Sequence, residues 1–186
     1  MAYSSQRVIF IALTIMMMST ISPSLGRKEK SNIEKDLRDL CSHTDKSKEC
    51  WRIIKPKLSE FSSTDPKIVA DVVLDLATKK CDEIYQELNL LYEYSTEDKM
   101  KKKYLSCSEN YKNAIVNLIL ARRNLESDGC RNIPVQISDT IGELDGCELE
   151  FDKDSFDPAQ IRNRMKEFRV YVYIVKVATD RLLNQN

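Results

Sequence analysis

Along most of this chain, apolar residues recur every three or four positions with polar residues between them. That spacing lines them up on one face of an α-helix rather than on alternate faces of a strand. From Tyr104 to Leu125 the stripe is Tyr104, Cys107, Tyr111, Ala114, Leu118, Ala121 and Leu125, with no Gly or Pro to interrupt it. An earlier stripe holds Val69, Val73, Ala77, Cys81, Ile84, Leu88 and Leu91 and predicts a helix ending near Tyr92. Its start is marked by "STDP": Thr64 or Asp65 can cap, and Pro66 suits the first helical position, where its missing N–H costs nothing. Ser95 and Asp98 in "STED" predict a variant capping box before the next helix.

Two more helices follow. "NIPVQISDTIGELDGCELEF" aligns Ile133, Ile137, Ile141, Leu144 and Phe151, with Cys147 beside Leu144, although Gly142 and Gly146 weaken the helix. The last segment carries Ile161, Met165, Phe168, Val172, Val175, Thr179 and Leu182. Its middle, "VYVYIVKV", has the composition of a strand. The stripe extends well beyond that octet on both sides, so one long buried helix is expected. Upstream, "SNIEKDLRDLCSHTDKSKECWRIIKPKL" reads as two short helices joined by a polar turn. Short loops favour antiparallel neighbours. The expected fold is all-α: an up-down-up-down antiparallel four-helix bundle over 63–186, joined as one domain to a helical hairpin over 27–62.

The first 26 residues read differently. Arg7, the run "VIFIALTIMMM" and the small residues of "STISPSLG" form the pattern of a secretory signal peptide, cleaved after Gly26. The run is too short to span a bilayer, which takes about 20 apolar residues, and no other segment is a candidate. The whole chain carries 29 basic and 29 acidic side chains, and only Arg7 leaves with the leader. A near-neutral chain is a poor ligand for nucleic acid, whose binding depends on excess Lys and Arg. The "KMKKK" run at 99–103 fits a solvated helix face.

Export makes the six cysteines candidates for disulfides. Cys41 and Cys50 bracket the hairpin turn and are placed to pair locally. An antiparallel helix pair mirrors residue numbers about its turn, because both arms rise about 1.5 Å per residue. Cys107 mirrors Cys147 about Ser127, and it also mirrors Cys81 about Tyr94. By height alone, Cys107 could bond either one. Cys130 lies about 25 Å from the layer that holds Cys147.

Catalytic chemistry is not legible. His43 is the one histidine, set in a predicted turn, with no nucleophile elbow to accompany it. There is no Gly-rich phosphate loop, no Glu-x-x-His pair and no C-x-x-C zinc spacing. No catalytic residue, cofactor or metal site is expected. Asp71, Asp75, Glu83 and Glu143 belong to the wet faces of amphipathic helices.

Three segments together resemble the plant invertase and pectin methylesterase inhibitor family: "LCSHTDKSKECW", with cysteines 41 and 50 nine residues apart, "CSENYKNAIVNLILA" from Cys107, and "CELEF" from Cys147. The resemblance implies disulfides Cys41–Cys50 and Cys107–Cys147, leaving Cys81 and Cys130 as free thiols outside the family's four-cysteine frame. A free Cys81 beside a Cys107–Cys147 bond could attack it, but a buried, inert core cysteine is the favoured reading. The resemblance also implies a monomeric inhibitor of the cell wall (apoplast), or less readily the vacuole. Such a protein docks one-to-one on a carbohydrate-active enzyme and occludes it, pectin methylesterase in preference to acid invertase. Two departures accompany it: Gly146 stands where methylesterase inhibitors commonly have Thr, and "DKDSFDP" lacks the Pro-Lys-Phe of invertase inhibitors. The alternative is a secreted helical bundle that signals or supports without inhibiting.

Overall fold

The computed structural model describes residues 23–127, 129–151 and 156–184, with side chains from residue 29 onward. Residues 1–22 of the expected leader, and 152–155 of the "DKDSFDP" loop, lie outside this range. Among the described residues, six α-helices follow one another: α1 Pro23–Ser42, α2 Ser47–Ile54, α3 Pro66–Tyr94, α4 Asp98–Glu126, α5 Ile133–Glu150 and α6 Ile161–Leu183. A 3-10 turn at Lys55–Glu60 extends α2, and another at Cys130–Asn132 leads into α5. No strand occurs among the described residues. The strand-like octet "VYVYIVKV" is helical because Val172, Ile174 and Val175 fill the bundle interior from one long rod.

The helix starts have separate causes. Asp65 caps α3, its Oδ1 accepting the backbone N–H groups of Lys67 at 2.8 Å and Ile68 at 3.3 Å. The capping box expected at Ser95 and Asp98 does not form. Glu97 occupies the cap position of α4 without a side-chain bond, and the Ser95 hydroxyl turns to the Glu97 carbonyl instead. Asp157 holds the start of α6, accepting from the N–H groups of Ile161 at 2.8 Å and Arg162 at 3.0 Å with its side chain nearly buried. It does so around Gln160, whose φ of 55° lies in the left-handed region.

Helices α3 to α6 form the four corners of an antiparallel bundle, each packed on its two neighbours: α3 on α4 and α6, α5 on α4 and α6. The inward stripe of α4 is buried from Tyr104 to Leu125, and that of α6 from Ile161 to Leu182. On α3 the stripe is buried from Val69 to Leu88, while Leu91 near the helix end is only half-buried. On α5, Thr140 takes an inward place beside Ile137 and Leu144, and Ile141 stays half-buried. The Thr140 hydroxyl returns its proton to the Gln136 carbonyl at 2.8 Å, so its burial leaves no unmet donor. Across the centre, the Tyr111 and Phe168 rings lie 5.5 Å apart. Each large side chain buried in this way stabilises by about 1.5–3 kcal/mol.

Two disulfides clamp the frame. Cys41 and Cys50 close the α1–α2 turn with Cα atoms 5.5 Å apart. Cys107 and Cys147 join α4 to α5 with Cα atoms 4.6 Å apart. Cys81 and Cys130 are free thiols. Cys81 is wholly buried on α3, its Sγ 3.6 Å from the Tyr111 carbonyl oxygen, one turn along α4 from Cys107. Burial pushes its ionisation well above the usual thiol range, and the neighbouring Asp82 pushes it further. A thiol held protonated is a poor nucleophile toward a disulfide. Cys130 is half-buried near the α4–α5 turn.

Two outcomes follow from this arrangement. Replacing Cys107 and Cys147 together by Ala should lower the unfolding free energy by about 4 kcal/mol, as read by urea denaturation. A loss below about 1 kcal/mol would mean that the clamp restrains little of the unfolded chain. A water-soluble maleimide at neutral pH should label Cys130 in the native protein and reach Cys81 only after unfolding. Equal labelling rates, followed by peptide mapping, would contradict the burial of Cys81.

Candidate docking face

The N-terminal hairpin decides which side of the bundle stays open. Ile53 and Ile54 of α2 meet Val73 and Leu76 of α3 together with Tyr171 and Ile174 of α6. Trp51 of α2 carries the Arg38 guanidinium of α1 at 3.9 Å from its ring centroid. Arg181 of α6 donates to Asp39 of α1 at 2.8 Å. His43 is exposed in the turn, with Nδ1 2.8 Å from the Asp39 carbonyl oxygen and 3.3 Å from Arg181. It helps pin the hairpin to α6, and the one hydroxyl beside it among the described residues, Ser42 Oγ at 3.3 Å, donates its proton to the Asp39 carbonyl at 2.7 Å. The α3/α6 wall is therefore covered, and the α4/α5 wall faces solvent.

That open wall is unusually apolar for an outer helix face. Leu105, Val116, Ile119 and Leu120 of α4 are each 39–49% exposed. They sit between Glu109, Lys112 and Arg123 on the side away from the inward stripe. On α5, Val135 and Leu149 are also exposed, Leu149 to 83%. Leu105 mirrors Leu149 about Ser127, and Ile119 mirrors Val135, so the pairs share two levels of the wall. Single exposed leucines are ordinary, but several on the outer faces of two adjoining helices mark a candidate interaction surface.

Polar groups close the seam between the two helices. Ser106 donates to Glu150 at 2.9 Å, Asn113 to Glu143 at 3.4 Å, and Asn124 to Gln136 at 3.0 Å. The Asn110 amide, oriented by its neighbours, donates to Glu143 Oε2 at 3.1 Å and accepts from the Cys147 N–H at 3.0 Å. It can lie so close to the α5 backbone because Gly146 has no side chain. A Cβ there would stand 3.2 Å from the amide.

Charge on α5 is one-sided, whereas α4 brings Lys112 and Arg123 to the wall. Helix α5 carries Asp139, Glu143, Asp145, Glu148 and Glu150 and no Lys or Arg. Arg169 of α6 neutralises Asp145 at 2.8 Å and Glu148 at 2.9 Å. Asp71 and Asp75 serve structure, gripping Arg122 of α4 at 2.9 and 3.2 Å. Glu83 pairs with Lys80 on its own helix at 3.2 Å.

The disulfide cysteines are scaffold rather than surface. Cys107 and Cys147 lie buried behind the seam, Cys41 and Cys50 within the hairpin, and Cys81 deep in the core. Cys130 stands at the turn end, away from the centre of the wall. Among the described residues, no three His, Cys, Asp or Glu side chains gather as a metal site. What this arrangement can do is bind. Reading inward stripes alone missed the wall, yet a trace of it is present in "AIVNLILARR", where Val116, Ile119 and Leu120 fall out of register with Ala114, Leu118 and Ala121.

Comparison with known proteins agrees with a binding role. Residues 35–180 match the family model described as plant invertase/pectin methylesterase inhibitor. Pectinesterase inhibitor 2 of Arabidopsis thaliana is 24% identical over 162 residues, 87% of this chain and 88% of that protein. A pectinesterase inhibitor of Actinidia deliciosa is 23% identical over 158 residues, 85% of this chain and 83% of that protein. In fold, the chain is similar to the crystal structure of mutant form A of a pectin methylesterase inhibitor from Arabidopsis. The TM-score is 0.67 at 21% identity, over 75% of this chain and 92% of that one. The chain belongs to the plant invertase/pectin methylesterase inhibitor family, whose members are inhibitors and not enzymes.

Proposed function

We propose that this protein is exported through a leader cleaved after Gly26 and acts in the apoplast. There it docks as a monomer, one-to-one, on a pectin methylesterase and occludes its substrate cleft. The observation that carries this reading is the open α4/α5 wall, with its exposed apolar group backed by a disulfide-clamped seam. A surface ordered before binding loses little conformational freedom on docking, so more of the contact energy appears as affinity. Acid invertase is the second choice, because the two curated relatives are both named pectinesterase inhibitors. No residue of this chain needs to do chemistry: covering the cleft is enough.

The direct test adds the purified protein at micromolar concentration to pectin methylesterase and to acid invertase at the acidity of the wall. Loss of most pectin methylesterase activity, with invertase spared, is the expected result. If both enzymes keep full activity, the inhibitor reading fails and the non-inhibitory bundle takes its place. The wall itself is tested by Val116→Glu combined with Leu120→Glu. Both positions are solvent-exposed, so the melting temperature should hold while the inhibition constant rises by about tenfold or more. Lys48→Glu on the hairpin, at the opposite wall, should change neither quantity.

A further inference from the structure

We propose that Glu143 is the polar anchor of the docking wall, held out by Asn110 and Asn113 across a gap that Gly146 leaves, to receive a Lys or Arg of the bound enzyme. This inference rests on the docking reading above and names the chemistry of one contact within it.

Four observations converge on that carboxylate. It is half-buried at the α4/α5 seam, where a partner covering the wall would finish desolvating it. Its Oε2 accepts from Asn110 at 3.1 Å and from Asn113 at 3.4 Å, which fixes the group in one orientation. Both donors are neutral amides, so the negative charge is positioned but not cancelled. Among the described residues no Lys or Arg pairs with it, whereas Asp145 and Glu148 on the same helix are both engaged by Arg169.

The remaining oxygen, Oε1, has no internal donor among the described residues. A cation arriving with the partner would find a pre-oriented acceptor beside the apolar group, and burial on docking would strengthen that charge-assisted bond. An amide or hydroxyl partner would gain less from the same site, because the uncancelled charge favours a cation.

Gly146 makes the arrangement possible. The Asn110 amide occupies the space in which a side chain at 146 would stand, with Cβ 3.2 Å away. A Thr at that position would push the Asn110 amide aside, weakening its bonds to Glu143 and to the Cys147 N–H and leaving Asn113 as the remaining donor to Glu143. Asn110 and Gly146 therefore act as positioning residues, and Glu143 makes the contact.

The experiment measures inhibition constants against pectin methylesterase for the wild type, Glu143→Gln, Gly146→Thr and the double variant, with thermal melts alongside. Glu143→Gln should raise the inhibition constant by about tenfold while leaving the melting temperature within about 1 °C of the wild type. Gly146→Thr should also weaken inhibition, and the double variant should be no weaker than the poorer single variant, because both changes act on one contact. Raising ionic strength should weaken the wild type more than Glu143→Gln. An inhibition constant for Glu143→Gln within about twofold of the wild type would overturn the anchor. Fully additive single effects, or equal salt sensitivity, would do the same. If the wild type itself inhibits neither enzyme, the docking reading falls and the anchor falls with it.

Discussion

The close approach of α4 and α5 is the constraint on which the rest of this molecule depends. At Cys107 and Cys147 the two backbones stand 4.6 Å apart between Cα atoms, joined covalently. One residue away, Gly146 presents bare backbone to the Asn110 amide. Helix axes ordinarily pack about 8–10 Å apart, and small residues permit the nearer end of that range. The clamp turns two neighbouring rods into one rigid plate. An apolar group displayed on a rigid plate can serve as a binding surface without collapsing inward.

The hairpin supplies the complementary restriction. Its α2 seals the α3/α6 wall with Ile53 and Ile54, and Arg181 fastens α1 to α6. The α4/α5 wall, on the opposite side, remains free for a partner. The ion pairs linking the helices, such as Arg122 to Asp71 and Arg164 to Glu87, are partly exposed. Each contributes little to stability, about 0–1 kcal/mol. They tie α3 to its two neighbours, α4 and α6.

The core also explains why a fifth buried cysteine is harmless. Cys81 lies one turn along from the clamp, but burial keeps it protonated, and its Sγ already faces the Tyr111 carbonyl. Nearby, the Tyr111 hydroxyl is buried with no hydrogen-bond partner among the described residues, and burial likewise raises its ionisation. The interior beneath the wall is therefore apolar and weakly reactive, as suits a scaffold that must not rearrange when its outer face is covered.

The sequence by itself determined the rods. Inward stripes at Tyr104–Leu125 and Ile161–Leu182, the Asp65–Pro66 start of α3 and the hairpin around Cys41 and Cys50 were all legible, because helix periodicity and capping are local. The failed capping box at Ser95 marks the edge of that reading: loop geometry chose the Glu97 carbonyl over the helix donors. Cysteine heights placed three sulfurs in one layer but left two pairings open, since height is only one coordinate of a bundle. The fold decided which wall the hairpin covers, that Glu143 sits between two amides, and that the bare backbone of Gly146 admits Asn110. Those features depend on how helices rotate about their axes and which neighbours they meet, and no local pattern encodes that.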